Sequence, residues 1–184
     1  MNEQFTLTMN NEKLLNYLNS LDEWMKHFGF EKIEVEESMG VNRLYARNKV
    51  SVSKFGMSST YAGVKYVEQG VDAKWMKQYG ENLFKYAYHH RKGMPVGVGA
   101  SLTVYPLLIT ESVSFELAAF MKSNAPKHYS SFEFPVVLDF VHDNLYYLQS
   151  TPIWGALYYS GFRKEANQLF SVLEWQKISD SAKK

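Results

Sequence analysis

Three side chains lie close enough along the chain to share a proton or a divalent ion: Asp139, His142 and Asp143. They close an apolar run, Phe134 to Val141, in which nearly every position is apolar; a strand reads this way when both faces of its sheet are covered. An aspartate ending such a strand is costly to bury without a partner, and a histidine three residues on could supply one. The chemistry served would be metal-assisted hydrolysis, with oxygen and nitrogen ligands around one ion. Turn formation, however, asks for the same residue types. Asp and Asn bond their own main chain and tolerate left-handed backbone, so His142-Asp143-Asn144 is expected to fold the strand back into Leu145 to Leu148.

The other polar clusters have plainer readings. His89, His90 and Arg91 end a helical pattern before Gly93, where cations complement the helix dipole, and adjacent helical residues point about 100° apart and grip one ion poorly. Gly93, Gly97 and Gly99 lack the Gly-Lys-Ser/Thr of a phosphate loop and run into a strand instead of opening a helix. Neither Gly-x-Ser-x-Gly nor His-Glu-x-x-His occurs. The chain has no cysteine, which excludes disulfides, thiolate metal sites and cysteine nucleophiles. No cofactor is implied.

Aromatic residues form the remaining constellation, at 16% of the chain with 13 Tyr, 12 Phe and 4 Trp. Tyr147, Trp154, Tyr158, Tyr159 and Arg163 match the Tyr, Trp and Arg enrichment of protein interfaces. In adjacent pairs such as Tyr146-Tyr147 and Tyr158-Tyr159, one ring is expected inside and the other outside or at an edge. The competing account is a thick aromatic core, and a flat row of rings in a groove would instead suit a sugar or a nucleobase. Charge argues against nucleic acid: 20 basic residues balance 19 acidic ones, and neither half is strongly basic. By elimination the expected function is a non-enzymatic binding or regulatory module recognising a protein, itself or a small ligand through an aromatic surface. The alternative is the Asp139, His142 and Asp143 hydrolase. The first residues show no basic and apolar leader, so residence in the cytoplasm is the expectation.

The elements that must position these residues follow from periodicity. Leu14, Leu18, Leu21, Met25 and Phe28 form one helical stripe, with Asn10 as cap and Gly29 as left-handed stop. Ile33 to Val35, Leu44 to Val52 and Val64 to Val67 read as an antiparallel meander, with Gly56 to Ser59 as a loop. Asp72 is placed to cap a helix ending at His90. The 18 uncharged residues from Gly93 to Thr110 contain too many prolines and glycines for a membrane span, and Val104 to Ile109 reads as a buried strand. Ser112 is expected to cap a short helix that Asn124 and Pro126 end. Thr151-Pro152 is expected to open a last helix carrying Trp154, Leu157, Tyr158 and Phe162, with Gly155 and Gly161 permitting a close crossing. The whole predicts an α+β fold whose mostly antiparallel sheet is covered by helices. It predicts one domain over residues 1–175, with a join near 93–99 where two lobes could meet, and a flexible polar tail over 176–184.

Overall fold

The computed structural model describes residues 3–34, 39–51, 56–92, 95–96 and 100–182. Five helices cover a sheet of seven strands, an α+β arrangement as the pattern of elements predicts. Chain order is α1 (Glu3–His27), β1 (Glu31–Lys32), β2 (Arg43–Ser51), β3 (Gly56–Tyr66), α2 (Ala73–His90), β4 (Ala100–Thr110) and α3 (Phe115–Ser123). Then come β5 (Ser131–Glu133), β6 (Val136–Asp139), β7 (Asn144–Tyr147), a 3-10 turn (Ile153–Gly155), α4 (Tyr159–Phe170) and α5 (Val172–Ser181). The predicted strand positions Val35 and Val52 fall outside the described residues, as does most of the join between Gly93 and Gly99.

The sheet is mixed, which corrects the expectation of a mostly antiparallel one. β1, β2 and β3 pair antiparallel, as do β6 and β7, but β4 runs parallel to β3 on one side and to β5 and β6 on the other. Parallel neighbours need a crossover long enough to return to the same end of the sheet, and α2 and α3 are those crossovers. Gly56 to Ser59, expected as a loop, pair with Ser51 to Asn48 inside the ladder.

β5 and β6 are two halves of one strand. Leu102 faces Ser131 and Leu107 faces Val136, so the register does not slip between them. At that register Pro106 stands opposite Pro135, and neither has an amide proton to donate. Main-chain pairing resumes on both sides, with the Phe134 amide donating to Val104 O at 2.8 Å and the Phe140 amide to Thr110 O at 2.9 Å.

Residues alternate along β4 between two apolar layers. Leu102, Val104 and Leu108 face α2 and α3, packing with Met76, Leu83, Ala87, Leu117 and Met121. Tyr105, Leu107 and Ile109 face α1, α4 and α5, packing with Leu21, Met25, Ala166, Leu169 and Phe170. A side chain on Gly63 would collide with Leu83, so this glycine lets α2 sit close on β3. In the second layer Arg47 reaches Glu165 at 2.5 Å, and the Tyr105 hydroxyl donates to the other oxygen of that carboxylate at 2.6 Å.

Helix ends divide into those the local pattern predicts and those that tertiary contacts move. Asp72 accepts from the Trp75 amide at 2.7 Å, and Gly29 takes φ 77° after α1, both as expected. Asn10 is not a cap, because α1 begins upstream at Glu3. Ser114 caps α3 in place of Ser112, accepting from the Leu117 amide at 3.1 Å. The predicted last helix is three pieces, separated by the turn at 156–158 and by Ser171, which caps α5. A side chain on Gly161 would meet nothing within 4 Å, so that glycine does not mark a close crossing. α5 extends to Ser181, and the chain past Trp175 is therefore helical where a polar tail is expected.

Candidate functional site

Asp139 ends β6 with its carboxylate buried, and its partners are all local. Oδ1 accepts from the main-chain amides of Val141 at 3.2 Å and His142 at 3.0 Å, and His142 Nδ1 lies 2.9 Å from Oδ2. These bonds close the turn, and Asp143 completes it with φ 53°. Lys13 of α1 donates to Phe140 O at 2.8 Å and lies over the Phe140 ring. Partial burial pushes the Asp143 carboxyl above its ordinary value, and the Lys13 charge opposes that rise. Among the described residues no three His, Asp or Glu side chains gather as a metal-binding group. The geometry gives each polar atom of Asp139 a role in the turn.

The aromatic residues come together elsewhere, on the segment between β7 and α4. Leu148 is buried, and the Gln149 amide donates to Lys122 O of α3 at 3.2 Å. Arg163 then reaches back from α4, donating to Ser150 O at 3.1 Å and to Thr151 Oγ1 at 2.8 Å. Thr151, expected as a helix cap, is thus an anchor for this guanidinium. Pro152 follows with φ −61° and starts the 3-10 turn. A turn this tight cannot keep the α-helical stripe on one face, so side chains spaced for burial are rotated into solvent.

Exposure then divides the aromatic set. Tyr159 is 1% exposed, Trp154 40%, Tyr158 51%, Leu157 89% and Ile153 97%. Tyr147 is half-buried, and its hydroxyl accepts from Asn167 Nδ2 at 2.7 Å. Burial and the nearby Glu133 charge push the Tyr159 hydroxyl up to about 12. Of the predicted binding residues, Trp154 and Tyr158 face water, Arg163 braces the segment from behind, Tyr147 ties β7 to α4, and Tyr159 belongs to the core.

Phe132 of β5 supports this turn. Its ring lies 6.4 Å from Trp154 at an interplanar angle of 9°, and 4.8 Å from Tyr158. Beside it a cleft of about 460 Å3 opens between Trp154 and the stretch Lys127 to Phe132. His128 in this wall stacks on Phe84 of α2 at 3.7 Å, and its Nε2 lies 2.8 Å from the buried carboxylate of Glu133. That carboxylate rests against the backbone of α2 at Gly80, where a Cβ would overlap Glu133 Oε1. Ser130 adopts φ 50° in the same wall, and Tyr129 is exposed at its rim.

Ile153, Leu157, Tyr129 and Phe132 are the site residues that sequence reasoning missed. The first two occupy apolar spacing that also suits a buried helical stripe. Tyr129 and Phe132 carry no pattern signal, since their role depends on β5 meeting the 3-10 turn across residues distant in sequence. Neither a family model, nor a curated protein, nor a solved structure matches this chain.

Proposed function

We propose that this chain is a non-catalytic docking module whose working surface is the turn at residues 153–158 with Tyr129 at its side. One observation carries the reading: of eleven large hydrophobic side chains exposed among the described residues, four fall within these six positions. Scattered exposed apolar residues are ordinary, whereas a contiguous group marks a surface that is covered in use. The brace formed by Arg163 supports it too, because it holds the start of the segment at Ser150 and Thr151 without using the outward side chains. A preorganised surface loses less freedom on binding.

A photo-reactive residue placed at position 157, and separately at the exposed Leu173 of α5, tests this in cells producing the protein. The expected result is covalent adducts, to protein or to lipid, from position 157 and few from position 173. Equal adducts from both positions, or none from 157, would overturn the reading.

A further inference from the structure

We infer that the surface docked by residues 153–158 is an anionic lipid bilayer, entered by Ile153 and Leu157. This rests on the docking reading above and adds the identity of the occupant. Two observations select it.

The first is charge. From Leu117 to Phe132 and from Asn144 to Lys164 the sequence has no aspartate or glutamate, and it has Lys122, Lys127, Arg163 and Lys164. The fold places two of these beside the turn: Lys127 lines the cleft next to Trp154, and Arg163 grips Ser150 and Thr151 just ahead of it. Lys122 accepts at its carbonyl from the Gln149 amide, at the start of the same segment. Among the described residues none of the four forms an ion pair, and the acceptors of Arg163 are neutral oxygens. The acids that follow these stretches in sequence are spoken for: Glu133 is buried against His128, and Glu165 is held by Arg47 and Tyr105. The turn therefore carries positive charge without an ion-pair partner beside an apolar tip, and its complement is a negative surface with an apolar interior.

The second is shape. Ile153 and Leu157 stand almost wholly in water, so a protein partner would need a cavity fitted to each. A bilayer accepts protruding aliphatic groups without a matched cavity. Trp154, Tyr158 and Tyr129 flank them, with an indole N–H and two hydroxyls that lack hydrogen-bond partners among the described residues. Such rings suit the headgroup level, one end apolar and the other wet. No helix among the described residues is long and apolar enough to cross a membrane, so the attachment is peripheral.

Co-sedimentation of the purified chain with vesicles tests this, using phosphatidylcholine alone and phosphatidylcholine with about one third phosphatidylglycerol. The expected result is binding to the anionic vesicles, weakened by high salt, with little binding to the neutral ones. Ile153→Ser and Leu157→Ser should each lower the partition by about tenfold, and Lys127→Gln by about fivefold. Circular dichroism should show that all three variants keep the fold. No binding to anionic vesicles, or undiminished binding by the double serine variant, would overturn the inference. So would retention by polyglutamate of a protein that anionic vesicles fail to bind, since an acidic polypeptide would then be the better ligand. In each of those cases protein adducts from position 157 would keep the docking reading standing, and the absence of any adduct there would remove both.

Discussion

The turn after β6 and the turn before α4 are built from residues that look equally functional, and the fold treats them in opposite ways. At the first, Asp139 is buried and bonded to the amides it must satisfy, while Asp143 supplies the left-handed corner. At the second, Ile153 and Leu157 satisfy nothing and are satisfied by nothing. Chemically versatile side chains that have found partners inside their own turn need no further explanation. Apolar side chains grouped in water on a braced backbone do, because contiguous exposed apolar groups are uncommon on a protein surface.

Replacing interior rings should separate the two kinds of aromatic residue most sharply. Tyr159→Ala is expected to cost about 3–5 kcal/mol in urea unfolding, as for other large core truncations, while Tyr158→Ala costs under about 1 kcal/mol. Similar losses from both would erase the distinction between core and tip.

A smaller effect is expected at the first turn. Asp139→Ala leaves two amides without their acceptor and should destabilise by about 2 kcal/mol, with vesicle binding by the folded protein unchanged. Loss of vesicle binding at full stability would instead move the working surface to that turn.

Asp143 provides a pH test of the same turn. Its folded carboxyl titrates above its ordinary value of 3.8, so the folded state holds the proton more tightly than the unfolded one. Ionisation of this group therefore costs stability above the folded pKa, and the cost fades as pH falls from there toward 3.8. Asp143→Asn, which keeps tolerance for left-handed backbone, should raise the urea midpoint slightly at neutral pH and lose that advantage in acid. An advantage that grows with acidification would mean the carboxylate is stabilised instead.

The smallest stability effects belong to the tip. Ile153→Ser and Leu157→Ser should each fall within about 0.5 kcal/mol of the parent in urea. A loss above about 2 kcal/mol for either would show that the side chain is packed, and the contrast between the turns would fail.

Much of the fold is legible because local chemistry decides it. The stripe from Leu14 to Phe28, the Asp72 cap and the apolar run at Val136 to Leu138 each specify an element through its own residues. The parallel pairings were legible only in the order strand, helix, strand, helix, strand, and the prolines at 106 and 135 disguise the strands that carry them. The tip is the hardest part to read. Trp154, Leu157 and Tyr158 have the spacing of a buried stripe, and only the contact of Arg163 with Ser150 and Thr151, with the tight turn that follows, turns them outward. Pattern reports which side chains share a face, and tertiary bracing decides which way that face looks.

Gly80 has a consequence for anyone improving this protein. A glycine inside α2 invites replacement by alanine, which favours the helix by about 1 kcal/mol on propensity alone. Here the added methyl would occupy the place of Glu133 Oε1, and that carboxylate is enclosed with His128 as its partner. A substitution that every helix scale favours would thus push a buried carboxylate away from its histidine and disturb the wall of the cleft beside Trp154.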